Sequence, residues 1–419
     1  MPSENLVPLK GLKVIEFSHM VMGPSAGLLL GDLGADVIKV EPITGDKTRE
    51  LRGSGAGYFA MYNRNKRSVR LDLKSGRGLE VARRLLEDAD VLIENFRPGT
   101  MDRLGLDYDG LAKMNPRLIY CSTHGFLTGP YENRVALDEV AQMMGGLAYM
   151  TGPPGQPLRA GASVIDVTGG MFGVIGILAA IEERHRTGKG QKVRSSLFET
   201  TVFMVGQHMA QHAVTGTPAA PMPNRISAWA IYDIFTTADD EMVFVGVVSD
   251  AQWQTFCDRF ELGELGNDPS LRENGDRVDA RDRIIPVVRE LFGTMTRDEL
   301  TTALEECGLP FAPVARPEDL LDDPHLTAAD ALVPVTLPDG AGALLPAMPI
   351  EMQGRKPGLV RDLPASGEHT AEVLAEIGYD AAAIADLEAA GAVSCGDPAG
   401  RDADDVKGVP RAGRSGRGR

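Results

Sequence analysis

Regular alternation of short apolar strands with amphipathic helices is the feature that most restricts the fold of this chain. A strand at 12–17, a Gly-Pro pair, a helix at 25–33 and a second strand at 36–40 come first. Further strands follow at 68–73, 90–94, 118–121 and 191–197, with helices between them. Strands that run parallel need such crossover helices, whereas hairpins do not. The pattern therefore predicts an α/β fold with a parallel sheet covered by helices on both faces.

A long apolar helix is predicted at 169–185, before the last of these strands. Its large apolar side chains recur at helical spacing, and we expect this side to face the core. The side consists of Met171, Val174, Ile175, Leu178 and Ile181.

The chain changes character after a stretch rich in Pro and Ala at 215–222, which we interpret as a linker. A predicted hairpin at 231–248 and several helices then indicate a smaller α+β domain. We expect a large α/β domain at 1–220, the small domain at 221–330 and a return to the large domain at 331–394. The segment 395–419 is rich in Gly, Arg and Asp without apolar periodicity, which predicts a disordered tail.

Composition excludes several classes of function. The chain carries 43 Lys and Arg against 59 Asp and Glu, a net charge of −16, which disfavours binding to a nucleic-acid backbone. Its apolar runs are short and its first residues lack the features of a signal peptide, so we expect no membrane association. Four scattered cysteines indicate a reducing cytoplasm, without a disulfide framework or a metal site.

The turn after the first strand does not carry the fingerprint of a dinucleotide site. That fingerprint needs Gly-x-Gly-x-x-Gly so that the backbone can approach a pyrophosphate. The sequence at 18–24 contains a single glycine, Gly23, and Met and Val side chains occupy the approach. The phosphate-loop, Gly-x-Ser-x-Gly and His-Glu-x-x-His motifs are also missing from the sequence. We therefore expect no tightly bound cofactor.

Two segments are candidates for binding a phosphorylated ligand. The segment 63–74 is basic in an acidic chain, and the segment 94–105 follows a predicted buried strand. Ligands of open α/β sheets lie beyond the carboxyl ends of the strands, where Lys and Arg would meet phosphates and Phe96 would supply an apolar surface. A solvated charged surface with a structural turn explains the same residues, and the residues alone leave both interpretations open.

Six sequence blocks identify the family that this chain resembles. They are 33–41 (LGADVIKVE, after a Gly-Pro pair), 65–68 (NKRS), 94–99 (ENFRPG), 115–119 (NPRLI), 187–191 (TGKGQ) and 367–370 (GEHT). Together these blocks resemble the class III (formyl-CoA transferase-like, CaiB/BaiF) CoA-transferase family. They keep that family's order from about residue 10 to residue 393, and they are jointly specific although each is weak alone.

The resemblance implies a catalytic carboxylate at Asp166, before the long apolar helix. A helix N-terminus also favours an acidic residue as a plain cap, which is the alternative from the residues alone. In the family, the aspartate takes up the acyl group as an anhydride and then CoA as a thioester, while CoA moves from an acyl-CoA to a free carboxylic acid. The resemblance further implies a Rossmann-like large domain and an intertwined, interlocked homodimer.

The resemblance also assigns contacts to coenzyme A. The residues are Val21, Met22, Leu71, Lys74, Asn95, Phe96, Arg97, Arg103 and Asp138. Three departures leave the acid substrate open. Val21 stands where some members have Gln, Leu137 precedes Asp138 where Tyr is common, and no glycine-rich lid lies between Pro218 and Trp229.

Two other functions remain as alternatives. α-Methylacyl-CoA racemases of the same family place a His and an Asp on opposite faces of the substrate α-carbon. Their His precedes a stretch that here reads 135–139 (VALDE) and has no His, and His124 lies in a different turn. A non-catalytic CoA-binding subunit of a heteromeric transferase is the second alternative, and the presence of Asp166 argues against it.

Overall fold

The computed structural model describes residues 6–225 and 227–396, which divide into two compact units. Among these residues, 6–218 and 325–396 form the larger unit, and 219–324 form the smaller one. The chain thus leaves the larger unit and returns to it. The divisions fall close to the expected domain limits at 220 and 330.

A seven-stranded sheet is the centre of the larger unit. Its strands are β1 Lys13–Phe17, β2 Asp36–Glu41, β3 Lys66–Leu71, β4 Val91–Glu94, β5 Ile119–His124, β6 Lys192–Ser196 and, near the end of the chain, β12 Val393–Ser394. Their order across the sheet is β12-β3-β2-β1-β4-β5-β6. Every neighbouring pair is parallel except β12 and β3. The predicted α/β fold with a large parallel sheet is confirmed.

Helices connect these strands. They are α1 Met22–Asp32, α2 Tyr58–Tyr62, α3 Gly76–Glu87, α4 Thr100–Leu104, α5 Tyr108–Met114, α6 Asp138–Met144, α7 Leu147–Thr151, α8 Val164–Thr187, α9 Leu197–Met204 and α10 Gly206–Thr215. The returning segment adds α16 Pro324–Ala328, a hairpin of β10 Leu332–Thr336 and β11 Gly342–Pro346, α17 Thr370–Glu376 and α18 Ala381–Ala389.

Alternate residues of each strand build two cores, one on each face of the sheet. Ile15 and Leu92 belong to the core that also contains Leu85 of α3. Val14 and Ile93 point the other way, into the core shared with α1 and α8. Strands buried on both faces explain why the sequence shows short apolar runs rather than polar–apolar alternation.

The side of α8 that faces the core agrees only in part with the predicted one, because Val174 is buried in the core and Ile181 packs against it. Met171 and Ile175 are 47% and 58% exposed, whereas Gly169, Gly170 and Gly173 are buried. A Cβ added at Gly170 would lie 2.1 Å from Ser25 Oγ of α1. The helix therefore packs through its glycines, because only a surface without side chains lets α8 approach α1 this closely.

Among the described residues, α8 is also the helix that is long and apolar enough to cross a membrane. Core helices of soluble proteins pass the same test, so a single helix of this kind gives weak support for a span. Residues on the packed side of α8, such as Val174 and Ile177, belong to the core formed with α1 and the sheet.

The smaller unit is an α+β structure with its own core. Its strands β7 Ile231–Thr236, β8 Met242–Val247 and β9 Phe311–Pro313 pair antiparallel in that order. Its helices are α11 Asp250–Arg259, α12 Gly263–Gly266, α13 Asn274–Asp279, α14 Arg281–Phe292 and α15 Arg297–Glu306. Aromatic contacts such as Phe235 with Phe292, at 5.2 Å between ring centroids, fill the space between sheet and helices.

The predicted tail at 395–419 begins with two placed residues. Cys395 N–H donates to Glu388 Oε1 at 2.8 Å, and Gly396 N–H donates to Gly367 O at 3.0 Å. These contacts extend the edge formed by β12, so the prediction of disorder is wrong for both residues. The rest of that segment, 397–419, lies outside the described residues.

Candidate active site

The branch point of the large sheet lies between β1 and β4. The chain leaves β1 for its neighbour β2 on one side, while β4 pairs with β1 on the other side. Open parallel sheets bind ligands at such a point, beyond the carboxyl ends of the strands. The segments that follow β1 and β4 therefore define the first wall of the candidate site.

Asn95 joins these two segments. Its Nδ2 donates to His19 O at 2.7 Å, and its Oδ1 accepts from the His19 backbone N–H at 3.0 Å. The rings of His19 and Phe96 lie 6.2 Å apart between centroids. The Asn95 amide, which the resemblance assigned to CoA, thus holds the turn after β1, with the Phe96 ring half-buried beside it.

Three fully buried charged side chains, Glu16, Lys39 and Lys66, fix the two ends of the turn after β1. Lys39 Nζ donates to Ser18 O at 2.8 Å, and Lys66 Nζ donates to Pro24 O at 2.9 Å. Glu16 bridges the two ammonium groups, with Oε1 at 3.4 Å from Lys39 and Oε2 at 2.8 Å from Lys66. All three side chains are 0% exposed. Each buried charge is paired, as burial in a protein interior requires.

The Glu16 carboxylate reaches this position because α1 carries glycine opposite it. A Cβ at Gly27 would lie 1.8 Å from Glu16 Oε2. Burial, only partly offset by Glu16, lowers the pKa of Lys66 to about 8. Burial acts in the same direction on Lys39, but Glu16, Asp46 and Glu41 outweigh it and raise the pKa of that lysine.

Neither interpretation of the basic segment 63–74, as phosphate donors or as a solvated surface, holds for most of its charges. Arg64, Lys66 and Arg67 are buried. Arg64 pairs with Asp32 at 2.6 Å, and Arg67 pairs with Asp36. Strand pairing and helix packing place carboxylates next to these cations, and the resulting ion pairs leave them unavailable to a phosphate.

The other predicted basic contacts are exposed and free to meet an anionic ligand. Lys74 follows β3, and Arg97 follows β4, both at the carboxyl edge. Arg103 lies one turn further on, in α4, and its Nη2 donates to Thr100 Oγ1 at 2.9 Å. Lys74, Arg97 and Arg103 thus retain the exposure that a phosphate contact needs.

Three of the predicted apolar contacts are buried. Val21 and Leu71 are each 1% exposed, and Leu71 belongs to the core between the sheet and α3. Met22 is buried against α8, where a Cβ at Gly169 would lie 2.6 Å from its Cε. All three side chains pack inside the protein next to the edge of the site.

Asp138 caps the helix that carries Asp166. Its Oδ2 accepts from the backbone N–H of Ile165 at 2.9 Å and of Asp166 at 3.1 Å. The helix begins at Val164, so Asp166 lies in its first turn and is not its N-cap. The plain-cap interpretation of Asp166 is therefore wrong, and Asp138, which the resemblance assigned to CoA, performs that role.

The Asp166 carboxyl is half-buried beside other acids. Burial, reinforced by the charge of Asp138, raises its pKa to about 7. Arg159 acts in the opposite direction, and Glu139 adds a smaller rise. A helix N-terminus favours an anion, but here burial and the neighbouring carboxylates have the larger effect. The group therefore changes charge near neutral pH, as nucleophiles and bases of active sites often do.

A chain of polar contacts leads from the cap to a cation. Gln142 Nε2 donates to Asp138 Oδ1, and Gln142 Oε1 accepts from Ala160 N–H at 2.8 Å. The next residue back, Arg159, pairs through Nη1 with Glu139 Oε1 at 2.6 Å. The loop before α8 is thus fixed to α6, which places Arg159 beside the acids of the site.

Two tyrosines of α2 lie near the start of α8. Tyr58 Oη is 3.4 Å from Ser163 Oγ, just before α8. Burial, with the charge of Asp166 as the next cause, raises the pKa of Tyr62 to about 12. The Tyr62 phenol therefore stays protonated at neutral pH and can donate a hydrogen bond.

His124, the histidine nearest in sequence to the stretch 135–139, pairs with an acid of the neighbouring strand. Its Nε2 lies 3.1 Å from Glu94 Oε1, at the ends of the adjacent strands β5 and β4. Glu94 also accepts from the backbone N–H of Phe96 at 3.0 Å. Across residues 6–225 and 227–396, no group of three or more His, Cys, Asp or Glu is arranged to hold a metal ion.

Several residues of this site were missed from the sequence. They are Glu16, Lys39, Tyr58, Tyr62, Gln142 and Arg159. For Glu16 and Lys39 a signal existed, because a charged residue inside a strand covered on both faces must be paired. The others lie on short helices and a loop whose position depends on packing against α8.

Comparison with known proteins assigns this architecture to a family. The profile of CoA-transferase family III matches residues 9–370. An acyl-CoA transferase of Fusarium pseudograminearum is 37% identical over 394 residues, covering 90% of this chain and 86% of that protein. A succinate–glutarate CoA-transferase of Agrobacterium fabrum is 34% identical over 385 residues, covering 88% and 96%.

A third relative and a solved structure agree with this assignment. A formyl-CoA:oxalate CoA-transferase of Streptomyces avermitilis is 32% identical over 387 residues, covering 87% of this chain and 94% of that protein. The crystal structure of a CAIB/BAIF family protein from Brucella suis superposes with a TM-score of 0.79 at 35% identity, covering 89% and 100%. The predicted resemblance is confirmed: the chain belongs to CoA-transferase family III and is a CoA-transferase.

Proposed function

We propose that this enzyme transfers CoA from an acyl-CoA thioester to a free carboxylic acid through covalent intermediates on Asp166. The observation that carries the proposal is the Asp166 carboxyl itself. It is half-buried in the first turn of α8, its backbone N–H is held by Asp138, and its pKa is raised to about 7. A carboxylate that is partly desolvated at neutral pH is a better nucleophile than a solvated one.

The donor half of the reaction forms two covalent states in turn. An Asp166 oxygen attacks the thioester carbonyl carbon, the C–S bond breaks, and CoA leaves as a thiolate. This step yields a mixed anhydride of Asp166 and the acyl group. The thiolate then attacks the aspartyl carbonyl carbon, the anhydride C–O bond breaks, and the donor acid leaves as a carboxylate while CoA stays on Asp166 as a thioester.

The acceptor half runs through the same states in reverse. The incoming carboxylate attacks the aspartyl thioester, which releases the CoA thiolate and forms a new anhydride. The thiolate attacks the new acyl carbon and restores the Asp166 carboxylate. Water would destroy both intermediates, so a half-buried position for Asp166 suits this chemistry.

We propose that CoA binds along the carboxyl edge of the sheet. Lys74, Arg97 and Arg103 are exposed there and supply charge for the phosphates. Phe96 offers an apolar surface beside the turn after β1. Val21 and Met22 act by shaping that turn, since both are buried.

The acid substrate is proposed by class only. Relatives are named for succinate, glutarate and oxalate, which are all dicarboxylic acids. Acids of this class, and their CoA esters, are therefore the first substrates to test. No tightly bound cofactor is part of the proposed reaction.

We also propose a cytoplasmic, intertwined homodimer. The apolar side chains exposed on consecutive helices of the larger unit support an oligomer, since monomers seldom expose so much apolar surface. Examples are Ile175 at 58%, Phe203 at 70% and Val214 at 86%. Light scattering of the purified protein measures its mass in solution and tests the homodimer. A monomeric mass at micromolar concentration would contradict a dimer.

Mass spectrometry of the intact protein under turnover tests the main proposal. The enzyme is incubated with a panel of CoA esters and acids, and the covalent states are trapped with hydroxylamine or borohydride. We expect a modification at position 166 in the wild type and none in Asp166→Ala, which should still bind CoA. CoA transfer by Asp166→Ala would remove the covalent mechanism, whereas exchange of an α-proton without transfer would favour a racemase.

A further inference from the structure

The side chains around Asp166 carry an excess of negative charge, although the proposed acid substrate is itself an anion. Asp166 lies among two further carboxylates, Asp138 and Glu139, and Arg159 is the cation that lowers its pKa among the residues that the structure describes. The acceptor acid arrives as an anion and must reach the Asp166 carbonyl carbon. A site with three acidic side chains repels such a substrate unless a cation compensates.

Arg159 has the geometry to supply that compensation. Its side chain is 34% exposed and pairs through Nη1 with Glu139, whose side chain is 53% exposed. Its Nε donates to Ala160 O at 3.0 Å. Within the part of the chain that the structure describes, Nη2 makes no hydrogen bond. One edge of the guanidinium is thus anchored, and the other is open to a ligand.

The loop that carries Arg159 is fixed to the same cap as Asp166. Ala160 N–H donates to Gln142 Oε1 at 2.8 Å, and Gln142 in turn donates to Asp138. Asp138 accepts from Asp166 N–H at 3.1 Å. This series of contacts holds the guanidinium and the proposed nucleophile at a defined separation, as a binding group for a reacting partner requires.

We infer that Arg159 binds the carboxylate of the free acid substrate, which replaces Glu139 as its partner. The inference rests on the proposed function and adds to it the residue that selects an acid. A guanidinium binds a carboxylate through two parallel hydrogen bonds, which also orients the attacking oxygen. The exchange costs little, because an ion pair between exposed side chains contributes little free energy.

This role separates the two substrates. The acid carries a charge at its reacting end, whereas the reacting carbon of an acyl-CoA is a neutral thioester. Arg159 therefore contributes to binding of the acid and of the acid product, and contributes little to binding of the CoA ester. A purely structural role would affect both substrates and the stability of the fold alike.

Steady-state kinetics of the full chain test the inference. The donor is the CoA ester that gives the fastest transfer, and the acids are succinate and propionate. Arg159→Gln should raise KM for both acids roughly 10- to 100-fold and weaken product inhibition by the released acid by a similar factor. KM for the CoA ester should stay within about twofold, and Arg159→Lys should recover part of the loss.

Two further variants keep the test decisive if Arg159→Gln folds poorly. Glu139→Gln removes the competing carboxylate and should lower KM for the acids, an effect opposite to that of Arg159→Gln. Arg186→Gln is the matched control, since Arg186 pairs with Glu183 at 2.6 Å at the far end of α8 and should leave both KM values unchanged.

Four outcomes are distinct. Unchanged KM for the acids in Arg159→Gln, a rise in KM for succinate alone, or a rise in KM for the acids in Glu139→Gln would each overturn the inference. If the wild type transfers no CoA in the whole panel, the proposed function fails instead.

Discussion

The backbone N–H of Asp166 donates to Oδ2 of Asp138 at 3.1 Å, so two acidic residues share one helix N-terminus. Asp138 takes the capping position, which leaves the Asp166 side chain without that stabilisation. The negative charge of Asp138 adds to the effect of burial, and both raise the pKa of Asp166. The residue that builds the start of α8 thus also sets the pH at which the proposed nucleophile ionises.

The donor half-reaction should depend on pH through this carboxyl. Below its pKa of about 7 Asp166 is protonated and cannot attack, so kcat/KM for the acyl-CoA should rise roughly tenfold per pH unit and level off above that pKa. Asp138→Asn keeps an acceptor oxygen for the cap but removes a charge that raises the pKa. We expect the midpoint to move to lower pH in kinetics from pH 5 to pH 9. An unchanged midpoint would show that Asp138 does not act on Asp166 electrostatically.

The same pKa predicts that Asp166 destabilises the fold at high pH. In the unfolded chain an aspartate has a pKa of roughly 4, and in the fold Asp166 has one of about 7. A raised pKa means that stability is fully present below the unfolded value and is lost as pH rises through the folded value. Asp166→Asn should therefore gain on the order of a few kcal/mol at pH 8 and little at pH 4.

Urea unfolding at both pH values measures this difference. Asp109→Asn is a matched control, because Asp109 is an exposed residue in the first turn of α5. Its effect should stay below about 1 kcal/mol at either pH. A variant Asp166→Asn that is less stable than the wild type at pH 8 would show that the ionised carboxylate is stabilised in the fold.

Local patterns predicted most of the larger unit. The helix α5 was predicted with its observed bounds, Tyr108–Met114, because its start, its apolar spacing and its end are all encoded within a few residues. Each strand of the parallel sheet was found for the same reason. Asp166 was singled out through the resemblance, and the structure adds the cap, the acids and the cation around it.

Residues whose role depends on distant partners could not be predicted in this way. Lys66 lies in the basic segment for which phosphate donors and a solvated surface were both left open, but sheet pairing and the packing of α1 bring Glu16 to 2.8 Å from it. Met171 and Ile175 were expected in the core, but the glycines on the opposite side of α8 allow a closer approach to α1. Hydrophobicity alone does not reveal which side of a helix can come closest to its neighbour.

Breaking the buried pair of Glu16 and Lys66 should be costly. Lys66→Met leaves a fully buried carboxylate with one partner fewer, and we expect a loss of about 3–5 kcal/mol in the free energy of unfolding. The double variant Glu16→Gln with Lys66→Met should recover part of this loss. Arg77→Met removes an exposed pair with Asp386 and should cost less than about 1 kcal/mol in the same urea titration. Equal losses from Lys66→Met and Arg77→Met would contradict the assignment of a tightly paired interior charge.

Arg103→Ala should weaken binding of the CoA ester. The residue is exposed at the carboxyl edge, and a lost phosphate contact should raise KM for acyl-CoA roughly 10-fold while kcat changes less. The effect should shrink at high salt, because exposed charges are screened. Arg186→Ala, at the far end of α8, is the control. Equal losses in kcat and in kcat/KM would instead place the contact of Arg103 in the transition state.

Gly170→Ala tests whether the close approach of α8 and α1 matters for the site. The new Cβ would lie 2.1 Å from Ser25 Oγ and 2.7 Å from the Met22 carbonyl oxygen, so a rotation of the serine cannot relieve the clash. One helix must shift, which should cost about 1–3 kcal/mol in urea unfolding. Because α8 carries Asp166 and α1 follows the turn held by Asn95, kcat should fall as well.

Gly206→Ala provides the comparison for this last substitution. Gly206 begins α10, and a Cβ there would meet nothing within 4 Å. Alanine favours helix, so this variant should be as stable as the wild type or more stable by up to about 1 kcal/mol. If Gly170→Ala behaves like Gly206→Ala in both stability and kcat, the glycine side of α8 is not a tight interface. The position of Asp166 relative to the sheet would then depend on other contacts of α8, such as Val174 and Ile177 in the core and the Asp138 cap.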